Sequence, residues 1–157
     1  VTVELWCLGK SKSAWVKEAV ALYEKRLRHL HAFNYREYPL PKASRGAQAD
    51  VARKVEADLI GTKLGNHDLL LLFDERGKSM TSRSYATYLE RLQHRSGKRI
   101  VFLIGGAYGF DESLRTRAGG SIRLSDMTLS HQLARIVALE QLYRGYTILK
   151  GLPYHND

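Results

Sequence analysis

Two stretches constrain the fold of this 157-residue chain more than anything else in it: DLLLLFDE at 68–75 and RIVFLIGG at 99–106. Each is an unbroken apolar run bounded by polar residues. A strand with one wet face alternates apolar and polar residues, whereas a strand apolar at every position is covered on both faces. That is the pattern of a parallel sheet between layers of helices. The flanking sequence supplies those layers. VTVELWCLG predicts a strand over 2–8 that Gly9 ends. Ser13 is placed to cap a helix from Ala14 to about Leu30, where Val16, Val20, Tyr23, Leu27 and Leu30 form one apolar stripe. FNYREY (33–38) reads as a short strand, and PLPKASRG as a loop able to move. A second helix from Ala47 groups Val51, Val55, Leu59 and Ile60 and ends near 61–65. GKSMTS turns the chain into a third helix from about Arg83, carrying Tyr85, Tyr88, Leu89 and Leu92. A short helix over 111–118, a brief strand over 121–124 and a helix from Ser130 to about Leu149 complete the pattern. Strands and helices alternate throughout. The expectation is therefore α/β, a mostly parallel sheet with helices on both faces, in one domain over 1–157 without a linker or repeat.

Composition narrows the class. Hydrophobic residues make up 44% and charged residues 26%, an ordinary globular balance. No apolar run approaches the roughly 20 residues of a membrane span. The start of the chain lacks a basic leader and a small-residue cleavage site, so no secretory signal is expected. Cys7 is the single cysteine, which allows no internal disulfide and suits a buried small hydrophobe. A cytoplasmic protein without a membrane partner fits these features. The net charge of +9 points to a polyanion such as nucleic acid, or to a basic surface kept for solubility. The cations are scattered, with small clusters at 10–12, 25–28 and 115–117.

Few motifs carry chemistry alone. No His, Cys or Asp cluster has metal-ligand spacing, so no metal is expected. There is no GxSxG elbow and no GxxxxGK[ST] phosphate loop. GGAYG at 105–109 follows the most apolar strand, where glycines let a ligand approach the backbone. It is GGxxG rather than GxGxxG, so it supports a dinucleotide-dependent oxidoreductase weakly and equally suits a tight strand-to-helix turn. In RLSDMTLSHQLAR (123–135) a polar loop sits between a strand and a helix. That last helix carries Leu133, Ile136, Val137, Leu139, Leu142, Tyr143 and Tyr146 around most of its circumference. Packing on a sheet needs one stripe. The second face calls for deep enclosure or, the favoured reading in so small a chain, a dimer interface. Glu140 and Arg144 form an i,i+4 pair, either a surface salt bridge or an arginine held at the edge of an active site.

Taken together, LLLLFDERGK, FLIGGAYG, LSDMTLSHQLARIVALEQLYR and the closing PYH resemble the α/β-knot (SPOUT) class of RNA methyltransferases. Within it they resemble the small single-domain RlmH family, which methylates N3 of a pseudouridine in 23S ribosomal RNA. The likeness spans the chain and is most specific in the final 35 or so residues. One departure is Ser130, where the family often has proline before the histidine.

The resemblance implies a C-terminal trefoil knot, a homodimer, and S-adenosylmethionine as cofactor. By motif, the cofactor falls to three loops: Phe73 at the end of one strand, Gly105 and Gly106 at the end of the next, and the run Leu124, Ser125, Asp126, Met127, Thr128 and Leu129. Such a loop offers backbone groups to the cofactor, and Ser125 and Thr128 can fix it by bonding its own backbone. The expected catalytic residues are Arg144, as stabiliser of developing negative charge or phosphate ligand, His155, as base or positioning group, and Tyr154, stacking on the target base. His131 and Arg135 are expected to line the cleft or bind RNA phosphate, and Lys42 and Arg45 to contact RNA. In a dimer the tail of one copy can complete the other's site. The partner would be ribosomal RNA or the assembled ribosome. The alternative is a non-catalytic RNA- or ribosome-binding module on the same fold.

Overall fold

The structure is a computed structural model that describes residues 1–95 and 97–157. In chain order its elements are β1 (Thr2–Leu8), α1 (Ala14–Leu30), β2 (Phe33–Tyr38), a 3-10 turn (Lys42–Ser44), α2 (Ala49–Lys63), β3 (Asp68–Ser79), α3 (Ser82–Arg95), β4 (Arg99–Ile104), α4 (Glu112–Arg117), β5 (Gly120–Arg123) and α5 (His131–Leu149). The five strands make one sheet in the order β2-β1-β4-β3-β5, and every pairing is parallel. The two wholly apolar runs, β3 and β4, lie side by side inside it, with Leu70, Leu71, Leu72, Val101, Phe102 and Leu103 all 0% exposed. Their alternation feeds two cores. Leu71, Phe73, Phe102 and Ile104 join Leu5 and Cys7 under α1, α3 and α5. Leu70, Leu72, Val101 and Leu103 join Trp6 and Leu8 under α2 and α4. Burial pushes the Cys7 thiol up to about 12, so it stays protonated as an apolar filler.

Local expectations were corrected in four places. Ser13 holds the N-cap position of α1 without a side-chain cap, and the first turn closes on its carbonyl instead. Residues 42–44 form a 3-10 turn within the expected loop: Ser44 is buried, its hydroxyl donates to the Pro41 carbonyl at 2.8 Å, and Arg45 donates to the Leu40 carbonyl. In α2 the buried face is Ala52, Glu56, Ala57 and Ile60, while Val51 is 47% exposed. The helix is turned by one residue, about 100°, from the apolar stripe. Small alanines let it lie close to the sheet, and Glu56 is held inward by a backbone contact described below.

The fourth correction concerns β3. The chain does not turn at 77 but stays in the strand to Ser79, and Ile122 of β5 pairs with both Phe73 and Lys78. The intervening residues bulge around β5. Gly77 lies so close that an added Cβ would fall 2.5 Å from the Ile122 backbone, which only glycine allows.

The last helix packs on α1 and α3. It buries Ala138, Leu139, Leu142, Gly145 and Tyr146. Its other side stays partly open, with Leu133 43% exposed. On α1, Trp15 and Leu22 are likewise exposed, at 55% and 46%. The helix pair thus leaves large apolar side chains in water. Among the described residues no helix is long and apolar enough to cross a membrane.

Candidate cofactor cleft and a separate arginine cluster

The connection from β4 enters α4 on one face of the sheet, whereas those from its neighbours β1 and β3 enter α1 and α3 on the other. The chain therefore parts above the carboxyl end of β4, where open α/β sheets take ligands. A cleft of about 330 Å³ lies there, within the usual range for small-molecule sites. The bulged part of β3 at 73–76, the loops after β4 and β5 and the first turn of α5 form its walls.

This cleft brings together Phe73, Gly105, Gly106, Leu124, Ser125, Met127, Thr128, Leu129 and His131. Asp126 is not among its walls; it points to solvent and pairs with Arg123 at 3.3 Å. Ser125 does fix the loop, its hydroxyl oxygen accepting the Met127 amide at 3.0 Å. No such bond forms from the Thr128 hydroxyl among the described residues. Ser130 caps α5 by accepting the Leu133 amide at 3.2 Å, so a serine does here by hydrogen bonding what proline does by its fixed φ.

Sequence reasoning missed part of the site. Arg115 crosses from α4 to form an ion pair with the buried Asp74 at the cleft wall. The glycines also have a different explanation from the one their motif suggests. An added Cβ on Gly105 would meet the Phe110 ring at 2.7 Å, and one on Gly106 would meet the Glu56 carboxylate at 2.5 Å. Both positions are filled by the protein itself rather than left free for a ligand. Gly109, at φ +77, closes the 106–109 turn by donating its amide to the Gly106 carbonyl at 3.3 Å.

Glu56 is 6% exposed and its carboxylate lies against the Gly106 backbone. Burial raises its pKa, and the nearby Gly106 amide only partly offsets the rise. His131 lies beside the Gly105 backbone; burial and the nearby Arg135 charge lower its pKa, which favours the neutral ring.

Arg135 is not available to RNA. It is 1% exposed and donates to the carbonyls of His131 and Gly9, to Ser11 and to Glu37. Burial works to raise the Glu37 pKa, but hydrogen bonds from Ser11 and Tyr35 and the Arg135 charge outweigh it and leave the carboxylate ionised. This is a structural ion pair that ties α5 to β1 and β2, and no phosphate reaches it. Lys42 and Arg45, in contrast, are exposed.

The three expected catalytic residues lie together, but not at the cleft. Arg144 donates to Glu140 at 2.8 Å, contacts His155 Nδ1 at 3.0 Å, and places its guanidinium 4.7 Å from the centre of the Tyr154 ring. Hydrogen bonding to Glu140 raises the Arg144 pKa further. Because arginine only donates, His155 Nδ1 must be the acceptor, and Nε2 carries the proton it gives to Asp157 at 2.9 Å. In this arrangement His155 holds Arg144 and has no free lone pair with which to act as a base. From His131 at the cleft to Arg144 is 13 residues of α5, about 20 Å along the helix. One copy of the chain therefore carries a cleft and an arginine cluster that do not meet.

A parallel sheet with a cleft of three loops at its carboxyl edge, closed by the final helix, defines an α/β nucleotide- or cofactor-binding enzyme fold. Residues 1–155 match the family model described as "Predicted SPOUT methyltransferase". A protein from Cytophaga hutchinsonii named "Ribosomal RNA large subunit methyltransferase H" is 44% identical over 98% of this chain and 99% of its own. Proteins of the same name from Christiangramia forsetii and Geobacter sp. are 37% and 39% identical over nearly their full lengths. A solved structure described as "Crystal structure of an hypothetical protein" superposes with a TM-score of 0.54 at 14% identity, covering 94% of this chain and 80% of that one, a likeness of fold. The chain belongs to the SPOUT methyltransferase family.

Proposed function

We propose that this protein is an S-adenosylmethionine-dependent methyltransferase of large-subunit ribosomal RNA, that it works as a homodimer, and that N3 of a pseudouridine is the acceptor. The observation that carries this reading is the cleft at the carboxyl edge, in a chain whose relatives bear the name of such an enzyme over nearly its whole length. The residues present suit the cofactor. Three loops converge on a cleft of about 330 Å³, and the Ser125 and Gly109 bonds set two of them before any ligand arrives. Little ordering cost is then left for binding. The trefoil threading of the family fits the way residues 74–77 bulge around β5 and the contact of Gly77 with Ile122.

When bound, S-adenosylmethionine supplies a methyl group on a positively charged sulfur that leaves as a neutral thioether. The chain supplies position and charge. The imide N3 must release its proton to solvent, and negative charge develops on the base until N3 takes the methyl group. Arg144, fixed by Glu140 and His155, offers its remaining N–H donors to that charge, and Tyr154 offers a face for stacking. Fixed donors of this kind act without reorganising. Positioning accounts for much of the remaining barrier, with effective molarities in general of about 10⁵–10⁸ M.

The 20 Å separation within one copy is the reason for proposing a dimer. A second copy docked on the exposed Trp15, Leu22 and Leu133 would bring its own arginine cluster to the first copy's cleft. The test is transfer of labelled methyl from S-adenosylmethionine to ribosomes lacking the modification, with the labelled nucleotide mapped. Label on a large-subunit pseudouridine is expected. RNA binding without cofactor binding would leave the chain as a non-catalytic RNA-binding module instead.

A further inference from the structure

The peptide unit joining Gly105 to Gly106 is flanked at both ends by side chains from opposite faces of the sheet. Its Gly105 end faces His131 at the start of α5, and the Glu56 carboxylate in the middle of α2 lies against Gly106. The first helix belongs to one core and the second to the other. We propose that Glu56 and His131 are positioning residues that together set the plane of this peptide, and through it the shape of the β4 loop that grips the cofactor.

Several observations converge on this. Glu56 is buried, yet it forms no ion pair among the described residues, and its carboxylate lies where a side chain on residue 106 would be. An ionised carboxylate buried without a cation is costly to keep and is rarely retained for packing. It displaces the apolar stripe of α2 by one position. A second α2 residue, Arg53, donates to the Tyr108 carbonyl at 3.3 Å and holds the far end of the same turn. His131 forms part of the cleft wall itself, so its contact with Gly105 places the imidazole as well as the peptide. A peptide bond can rotate as a unit with little change to its neighbours. Glycine at both flanking positions makes that rotation easier still, since neither residue resists by a Cβ. Without the two side chains the loop would sample several orientations, and the cofactor would have to select one, with loss of apparent affinity.

The inference rests on the cleft being the cofactor site, and the test separates the two. Binding of S-adenosylhomocysteine is measured by calorimetry for the wild type, Glu56→Ala, Glu56→Gln, His131→Ala and the Glu56→Ala/His131→Ala pair, with the backbone ¹⁵N–¹H resonance of Gly106 followed in each free protein. Glu56→Ala is expected to weaken binding about tenfold or more and to move the Gly106 resonance. Glu56→Gln keeps an acceptor oxygen at the same place and should bind within about threefold of wild type. The double variant should lose less than the two single losses combined, because both act on one peptide. Wild-type affinity in Glu56→Ala, an equal loss in Glu56→Gln, or strict additivity would overturn the proposal. Failure of the wild type itself to bind would overturn the cofactor reading on which it rests, while the resonance shift would still report the clamp.

Discussion

The cleft and the arginine cluster are opposite in construction. The cleft is assembled within one copy from the bulge of β3 and the loops that follow β4 and β5, with His131 in its wall and Glu56 behind it. The cluster sits at the far end of α5, built from side chains of one helix and an eight-residue tail, with Asp157 and Arg83 joining at 2.7 Å in solvent. The first is rigid scaffold and the second is a set of poised charges. The cleft thus needs only one folded copy, and the arginine cluster lies out of its reach within that copy.

The sharpest way to break this contrast is Arg144→Ala. Methyl transfer should fall by about 100-fold or more, the usual loss for one stabilising donor, while S-adenosylhomocysteine affinity stays the same. Single-turnover transfer and calorimetry on the same samples read both quantities. Mixing this variant with one crippled at the cleft should recover activity if the site is shared between copies, and mixing should recover nothing if each copy works alone. Next in size is the pair Trp15→Lys and Leu133→Lys. It should shift the protein to monomer in analytical ultracentrifugation and reduce transfer at least tenfold at dilute protein, leaving the cleft able to bind. Neutralising Lys42 and Arg45 should lower the dependence of RNA affinity on salt, by up to about two units of slope, with a modest loss of affinity.

The smallest effect is thermodynamic. The folded pKa of Glu56 is raised above 4.5. The stability tied to its neutral form is fully present below the unfolded value and is lost as pH rises through the folded one. Glu56→Gln should therefore melt slightly higher than wild type at pH 7, an advantage that vanishes as the pH approaches 4.5. His131 has the opposite sign. Its folded pKa lies below 6.5, so the stability of its neutral form is lost as pH falls from about 6.5 through the folded value. His131→Gln should flatten that acid limb of the melting curve.

Much of the scaffold was legible because it depends on local signals. The runs at 68–75 and 99–106 announced two central strands, and stripes three and four apart announced α1 and α3. What stayed hidden depends on partners distant in the chain. β3 runs on through Arg76, Gly77 and Lys78 because β5 arrives from more than 40 residues later to pair with it, a backbone contact that leaves no mark on side-chain pattern. The sequence puts Arg135 at the cleft or on RNA phosphate because its partners Gly9, Ser11 and Glu37 lie 98 to 126 residues earlier. The motif 105–109 revealed where the cleft loop would be but not why it needs glycines, since Phe110 and Glu56 reach those positions only in three dimensions. The arginine cluster was legible as a set of residues through family likeness. Its distance from the cleft was not, because a helix carries that information only once its ends are placed.

The buried tie between Arg135 and Glu37 also governs when the protein comes into being during synthesis. Arg135 is fully buried, and leaving its charge alone there costs about 3–5 kcal/mol, so α5 packs only once β1 and β2 are in place to receive it. A nascent chain stalled before residue 131 would hold all five strands and most of the cleft walls but lack the turn of α5 that closes them. The closing turn of the cleft and the arginine cluster thus arrive on the same helix, in the last moments of translation.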